Sequence, residues 1–314
     1  MSAPRAVRVE VDSWRSAREL LSRLRRYIYR GHADSEWKLA TSLERQADRL
    51  NAWERMEVGE AQMLQAFQRR AHHYLTTLPA LSDRLGWLAL IQHYGGPTRL
   101  LDFTRSPYVA SFFAIENATG DAAVWAISEA SLLYQNARIL KTSVAETAET
   151  QLVVDPGCLE LANVALATRS SEPGVLLIEP FQLDERISKQ QGCFLVPLDL
   201  SCSFVDNLES NFGLGSLRFY EAHTFVYNGG QSYFFIDPPS IMKIVLPRRL
   251  HPDAMLDLEA MNVNSASLFG GLDGFARSLP STLRAFEQRY FEREEIRRLF
   301  EQRSEPYGAP EDIE

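Results

Sequence analysis

The densest group of polar residues that could do chemistry lies in residues 92–116, QHYGGPTRLLDFTRSPYVASFFAIE. Residues 95–97, Gly-Gly-Pro, end an apolar helix, because glycine frees φ and proline cannot continue a helical turn. Residues 98–103 then predict a short buried strand that carries Arg99 and Asp102. These two side chains could bind a ligand, or they could pair with each other inside the fold. Spacing alone slightly favours the ion pair, but a second polar cluster upstream favours a ligand site.

A second helix begins directly after this strand. Thr104 or Ser106 is expected to cap it, with Pro107 in the first turn, where the missing N–H removes no hydrogen bond. The start of a capped helix presents free N–H groups and the positive end of the helix dipole, which suits a phosphate. The sequence therefore predicts an anion site where this strand meets this helix.

Two polar clusters precede this stretch. Arg30-Gly31 ends a predicted strand, so the guanidinium could hold an anion while glycine lets a ligand approach the backbone. A surface salt bridge beside a turn glycine is the alternative. Thr41 and Ser42 precede a helix, where their hydroxyls could bind a phosphate or cap the helix.

Two later residues could complete a catalytic site. Gln191 lies just before a predicted strand, where it could hydrogen-bond a ribose hydroxyl, bind an attacking group or simply satisfy a loop. Glu179 ends the preceding strand and is the nearest carboxylate for acid–base chemistry. An exposed surface carboxylate is an equally good interpretation of Glu179.

A sheet is needed to bring these clusters together. Short apolar runs predict strands at 7–11, 27–30, 98–103, 122–127, 175–178, 193–198 and 241–246, and an Asn-Gly-Gly turn predicts a hairpin of 224–227 with 231–236. Helices are expected at 13–24, 44–78, 85–94, 251–262, 265–279 and 281–303, and short helices and surface loops within 128–167. Trp37, Leu39 and Leu43 are expected to pack inward. Strands cluster in the middle and helices at both ends, which predicts an α+β fold.

Bulk properties narrow the class of protein. The 314-residue chain is 45% hydrophobic, enough for a packed core, and its net charge of −8 disfavours a broad basic surface for nucleic acid. The three cysteines lack CxxC spacing, the N-terminus has no apolar leader, and no apolar run reaches about 18 residues. These features predict a cytoplasmic protein outside the membrane. The sequence has no metal-ligand pattern, so no metal is expected. It also has no P-loop, GxGxxG or GxSxG motif.

Six segments of the chain resemble the FRG domain family: YIYRGHADSEWKLATSLER, LALIQHYGGPTRLLDFTRSPYVASFFAIE, AAVWAI, ERISKQQGCFLVP, MKIVLP and NSASLFGGLDGFARSL. The family takes its name from a Phe/Tyr-Arg-Gly motif, here residues 29–31, and the resemblance runs over residues 13–279. It implies one FRG domain over 1–280 and a C-terminal helix and tail over 281–314. The motif order looks like that of ADP-ribosyltransferases. The implied fold is a central split β-sheet flanked by helices, with a helical N-terminal insertion and a helical C-terminus.

The same resemblance implies NAD as substrate and gives roles to particular residues. Arg30 would begin the NAD site, Thr104 or Ser106 would follow, and Gln191 would stand where many members of the superfamily have glutamate. Because an amide does not titrate, Gln191 could orient the ribose but could not be a general base. His93 and Asp102 could activate the acceptor or share a structural hydrogen bond. The expected cofactor-binding residues are Tyr29, Arg30, Gly31, Thr41, Ser42, Arg99, Asp102, Thr104, Ser106 and Tyr108.

Three functions are compatible with the sequence. The first is an NAD-dependent ADP-ribosyltransferase, a bacterial toxin or anti-phage defence effector that modifies RNA, DNA or protein. The second is a non-catalytic nucleotide-sensing or partner-binding module, and the third is an NAD or nucleoside glycohydrolase that uses Glu179 and water. An antitoxin, an immunity protein or a second protomer could dock on the C-terminal helix. The enzymatic hypotheses require that Arg30, Ser106 and Gln191 face one pocket.

Overall fold

In the computed structural model of the chain, eight strands of the described residues join into one mixed sheet. The structure describes residues 6–140, 156–167, 173–179, 185–213, 219–225 and 239–280, and the isolated helical residues 283, 294, 297 and 298. The chain divides into two units, Met1–Val263 and Asn264–Glu314, and the sheet lies in the first. This division comes earlier in the chain than the boundary predicted after residue 280.

The strands form where apolar and β-branched residues dominate short runs. In chain order they are β1 (Ala6–Val11), β2 (Tyr27–His32), β3 (Leu101–Thr104), β4 (Ala122–Ser128), β5 (Val175–Ile178), β6 (Gly192–Pro197), β7 (Phe219–Phe225) and β8 (Ile241–Leu246). Their order across the sheet is β5-β6-β3-β2-β4-β8-β1-β7. The pairs that β1 forms with β7 and β8 are parallel, and the other pairs are antiparallel. The α+β prediction is confirmed, whereas most of the predicted hairpin at 224–236 lies outside the described residues.

Helices precede, separate and follow these strands. In the first unit they are α1 (Trp14–Arg23), α2 (Ser42–Leu50), α3 (Met56–Ala71), α4 (Arg84–His93), α5 (Pro107–Ile115), α6 (Glu129–Leu140), α7 (Pro156–Ala167), α8 (Glu185–Lys189), α9 (Phe204–Phe212) and α10 (His251–Ala260), with 3-10 turns at Trp53–Arg55 and Arg248–Leu250. The second unit contains α11 (Ser265–Phe269) and a helical stretch at 271–280. None of the helices in the described part of the chain is both long and apolar enough to cross a bilayer.

Several predicted helices differ from those observed. The helix predicted over 44–78 is two helices, because Asn51 takes a left-handed conformation with φ of 48° and ends α2. Gly270, with φ of 68°, likewise separates α11 from the helical stretch after it. Residues 128–167, expected to hold short helices and loops, contain the twelve-residue helices α6 and α7. The C-terminal helix predicted at 281–303 lies almost wholly outside the described residues.

Both faces of the sheet are buried by helices. On one face, residues of α6 and α9 join a core with strand residues such as Trp125 and Leu177. On the other, residues of α4 and α7 pack against β5 and β6. Leu39 and Leu43 are buried as predicted, but the prediction for Trp37 is wrong, because 55% of this residue is exposed.

The edge strand β5 is closed by side-chain amides. Asn136 of α6 accepts from Leu177 N at 3.0 Å and donates to Leu177 O at 2.6 Å. Asn211 of α9 does the same for Val175, at 2.8 and 2.7 Å. Both asparagines are buried. They therefore satisfy the outward-facing backbone groups that an edge strand leaves unpaired.

Candidate functional site

A cavity of about 380 Å³ lies between the sheet and helices α4, α5 and α8. Three neighbouring strands, β2, β3 and β6, contribute to its wall, and their register aligns Tyr29 with Thr104 and Thr104 with Gly192. Segments distant in the sequence therefore meet in one row. The lining residues are Tyr29, Arg30, Gly31, Ala89, Gln92, His93, Asp102, Phe103, Thr104, Ala110, Phe113, Arg186, Ile187, Gln190 and Phe194.

Arg30 bridges a split between β2 and β3. The ladder joining these strands has one registered pair, Tyr29 with Thr104. Beyond it, Arg30 Nη1 donates to the carbonyl oxygen of Asp102 at 2.6 Å and lies 3.9 Å from Asp102 Oδ2. Burial lowers the pKa of Arg30, an effect that the Asp102 carboxylate opposes. Since an arginine keeps its proton in folded proteins, the cavity has a fixed positive charge.

His32 supports this guanidinium from behind. Arg30 Nε donates to His32 Nε2 at 3.2 Å. Burial, together with the charge of Arg30, lowers the pKa of His32 to about 3. The imidazole is therefore neutral at physiological pH and has a lone pair on Nε2 to accept this hydrogen bond.

Asp102 supplies a carboxylate to the cavity wall. Its Oδ1 accepts from Gln92 Nε2 at 2.7 Å, and 66% of its side chain is exposed. The alternative pairing of Asp102 with Arg99 does not form, because Arg99 is bound to Glu60. His93, also on the wall, packs edge-on against Tyr94 with ring centroids 4.9 Å apart.

Gly31 is required by the packing of a helix against its strand. A Cβ at this position would lie 2.1 Å from the carbonyl oxygen of Ala110 and 2.5 Å from the nitrogen of Ala114, both on α5. The space expected for a ligand beside the Gly31 backbone is therefore taken by α5, although Gly31 still borders the cavity. Tyr29 borders it too, and its hydroxyl is bound to Leu24 O at 2.5 Å.

Thr104 and Ser106 have different roles at the junction of β3 and α5. Ser106 caps α5, because its Oγ accepts from Val109 N at 3.3 Å. Thr104 lines the cavity, and its Oγ1 donates to Gln190 O at 2.6 Å and accepts from Ser106 N at 2.9 Å. Of the two candidates, Thr104 is the one that borders the cavity.

Before β6, the residue that borders the cavity is Gln190 and not the predicted Gln191. Gln191 takes a left-handed φ of 50°, is exposed and does not belong to the cavity wall. Glu179 is also outside the wall, because it is buried and pairs with Arg105, which lies 3.1 Å from Glu129 as well. Neither Gln191 nor Glu179 therefore has the position expected of a catalytic group.

Three further predicted binding residues serve the fold. Arg99 is buried and binds Glu60 of α3, with Nε 2.8 Å from Oε1. Thr41 is buried and caps α2 through a capping box with Glu44. Ser42 Oγ accepts from Thr98 N at 2.9 Å and donates to Thr98 O at 3.1 Å. None of these three predicted residues borders the cavity, so their predicted contact with a ligand is corrected.

Tyr108 borders a different depression. It lies in a surface groove with Trp14, Arg18 and Asp257, where Trp14 Nε1 donates to Asp257 Oδ2 at 2.7 Å. Tyr108 is therefore not positioned to stack on a ligand in the cavity.

Sequence reasoning missed several residues of the wall: Gln92, Phe113, Arg186, Gln190 and Phe194. The prediction of Gln191 did identify the right segment, but no local signal distinguished it from Gln190, the residue that lines the cavity. Phe113 and Phe194 carry patterns typical of core residues. Within the described ranges, no group of three or more His, Cys, Asp or Glu residues could hold a metal ion.

The family model of the FRG domain matches residues 25–122. This match confirms the resemblance predicted from the Tyr-Arg-Gly motif and from the block at 92–116. It runs from just before β2 to the first residue of β4, and so includes Arg30, Asp102 and Thr104. The cavity residues from Arg186 to Phe194 lie beyond the matched range. No curated protein and no solved structure matches the chain.

Proposed function

Since the chain contains an FRG domain over residues 25–122, we propose that its cavity binds NAD and that the protein is an NAD-dependent ADP-ribosyltransferase. One observation carries the proposal: Arg30, Thr104 and Gln190, from three distant segments, border one cavity that also contains a carboxylate, Asp102. The requirement that Arg30, Ser106 and Gln191 face one pocket is not met, because Ser106 and Gln191 lie outside the wall. Thr104, the other hydroxyl candidate, and Gln190, the neighbour of Gln191, border the cavity instead, and the proposal rests on them. The split between β2 and β3 also supports an ADP-ribosyltransferase-like sheet.

The charges of the cavity suit this reaction. When the C1′–N bond of NAD breaks, nicotinamide leaves with the bonding electron pair and positive charge develops on the ribose. A nucleophilic oxygen or nitrogen of the acceptor then bonds to C1′ and loses its proton. The Asp102 carboxylate could stabilise the ribose cation, because charges held in place on a cavity wall need little reorganisation. Arg30 and Arg186 could bind the two phosphates.

The size and lining of the cavity favour one half of the dinucleotide. Its volume of about 380 Å³ is near the lower end for ligand cavities. Phe113 and Phe194 provide apolar surface beside the polar groups. We therefore place the nicotinamide riboside half inside and the adenosine half towards the opening.

The biological role that we propose follows the family resemblance. The protein would act in the bacterial cytoplasm as a toxin or anti-phage defence effector. Its acceptor would be RNA, DNA or protein, and an antitoxin or immunity protein would restrain it. Capture of a partner by the full chain but not by a chain lacking residues 281–314 would place that contact on the C-terminal segment.

The direct test follows the fate of both halves of labelled NAD. Protein shown to be folded is incubated with NAD and a cell lysate, and released nicotinamide and labelled macromolecules are measured. We expect label transfer by the wild type and a reduction in kcat/KM of about 100-fold in Arg30→Lys, because lysine cannot reproduce the fork geometry of the guanidinium. Arg45→Lys is the matched control, since Arg45 is exposed and outside the cavity wall.

Each alternative has its own outcome in this assay. Free ADP-ribose without labelled macromolecule would identify a glycohydrolase, whose carboxylate would be Asp102, because Glu179 is engaged by Arg105. NAD binding in calorimetry without nicotinamide release would identify the nucleotide-sensing module. Folded protein that neither binds nor cleaves NAD would overturn the proposed function.

A further inference from the structure

Gln92 provides the hydrogen bond that holds the cavity carboxylate. It lies in the last turn of α4, and its Nε2 donates to Asp102 Oδ1 at 2.7 Å. On the far side of the same amide, Oε1 accepts from the hydroxyl of Thr98. The amide therefore stands between a buried threonine and a carboxylate on the cavity wall.

Thr98 and Asp102 together determine which way this amide faces. Thr98 Oγ1 already accepts from Leu100 N at 3.2 Å, and its single hydroxyl proton is directed to Gln92 Oε1. Since a carboxylate oxygen accepts and an amide oxygen cannot donate to it, the NH₂ group of Gln92 faces Asp102, and its Oε1 accepts the Thr98 proton.

The threonine is itself fixed within the fold. Thr98 is fully buried, its N donates to Ser42 Oγ at 2.9 Å, and its carbonyl accepts from the same hydroxyl at 3.1 Å. A hydrogen-bonded chain thus runs from Ser42 through Thr98 and Gln92 to Asp102. Its donors are oriented before any ligand arrives, which is the arrangement that preorganised sites require.

The hydrogen-bonded chain ends on Asp102, a carboxylate that is largely exposed. The Asp102 side chain is 66% exposed, so a hydrogen bond to it adds little to stability compared with one to a buried group. With Oδ1 bound to Gln92, Oδ2 lies 3.9 Å from Arg30 Nη1. A network anchored on the buried Thr98 and oriented towards an accessible carboxylate in a cavity is better explained by the chemistry of that cavity than by folding.

We propose that Gln92 is a positioning residue, which orients Asp102 so that its second oxygen meets the positive charge developing on the ribose. The inference rests on the proposed function, because it gives Gln92 a role in the same NAD-cleaving cavity. Gln92 would act only through Asp102 and would not itself touch the reacting atoms.

The test compares two substitutions of Gln92 that preserve its approximate size. Gln92→Met removes the donor, and we expect kcat to fall about 10-fold while the Kd for NAD measured by calorimetry changes less than about two-fold. Gln92→Glu places a second carboxylate beside Asp102, and two adjacent carboxylates resist simultaneous ionisation. We expect the acidic limb of its kcat/KM profile to move to higher pH by about one unit.

Gln65→Glu is the matched control, because Gln65 is exposed on α3 and outside the cavity wall. It should keep the wild-type pH profile. Folded Gln92 variants with wild-type kcat and an unmoved pH profile would overturn the inference while leaving the proposed function intact. A wild-type protein that does not turn over NAD would overturn both, so the two failures are distinguishable.

Discussion

Arg99 and Glu60 form a buried ion pair that joins the segment before β3 to α3. Arg99 Nε lies 2.8 Å from Oε1 and 3.0 Å from Oε2, and Arg84 Nη2 of α4 lies 2.7 Å from Oε2. Burial alone would raise the pKa of Glu60, but the two guanidinium groups lower it below its ordinary value. Because Arg99 is two residues before β3, this pair fixes the strand that carries Asp102 to the cavity.

Replacing Glu60 should therefore strongly destabilise the protein. In Glu60→Gln the Arg99 guanidinium stays buried without a counter-charge, so we expect the free energy of unfolding in urea to fall by about 3–5 kcal/mol. The control is Glu54→Gln, which makes the same change at an exposed position. Equal unfolding midpoints for the two variants would show that the pair contributes nothing.

Gly31 should not tolerate even a methyl group. In Gly31→Ala the added Cβ meets backbone atoms of α5 at 2.1 and 2.5 Å, so the helix and β2 must move apart. We expect a loss of at least about 1–3 kcal/mol in urea unfolding, typical of overpacked interiors. Gly120→Ala is the control, because a Cβ there meets nothing within 4 Å. If both variants unfold at the same urea concentration, the close approach of α5 is wrong.

The neutral state of His32 should make stability depend on pH. Its pKa in the folded protein is about 3, below the ordinary 6.5, so the unfolded chain binds the proton more readily. The contribution of His32 to stability is therefore complete above about pH 6.5 and declines towards pH 3, by up to about 1.4 kcal/mol per pH unit. His32→Gln should flatten unfolding free energies measured between pH 4.5 and 7. The control His73→Gln, at an exposed site, should follow the wild-type curve, and a His32→Gln curve parallel to wild type would contradict the prediction.

Replacing either asparagine on the β5 edge should lower the free energy of unfolding. In Asn136→Ala the N–H and C=O of Leu177 both lose their partners, which costs about 1–3 kcal/mol for each unsatisfied buried group. Asn211→Ala should act in the same way on Val175. Urea unfolding measures the loss, with Asn117→Ala at an exposed position as control. Alanine variants as stable as that control would mean that solvent replaces the amides without penalty.

Local chemistry made much of the fold predictable. Ser13 and Ser106 cap helices in the structure because a short hydroxyl side chain before an apolar helical pattern can accept from a free N–H in the first turn. The short apolar strands are also visible in the sequence, since buried sheet residues form continuous hydrophobic runs. The strand-to-helix junction at Thr104 was identified in the same way.

What escaped prediction depends on distance along the chain or on one backbone angle. Arg99 pairs with Glu60 on another helix, 39 positions upstream, which spacing around Arg99 cannot reveal. Gln190 rather than Gln191 lines the cavity. The chain turns at Gln191, which has a left-handed φ of 50°, and glutamine is not a residue type from which such a conformation is predicted. No role was predicted for Gln92, because its contacts with Thr98 and Asp102 can be recognised only once α4 is known to lie beside β3.

The amides on β5 also limit how other molecules can recognise this protein. Many protein partners attach by laying an extended segment along an open sheet margin and matching main chain to main chain. At this margin the matching groups of Val175 and Leu177 are already engaged by Asn211 and Asn136. An inhibitor that docks here must therefore bind through side chains and shape complementarity. To pair its own backbone with β5, it would first have to displace the side-chain amides of Asn136 and Asn211.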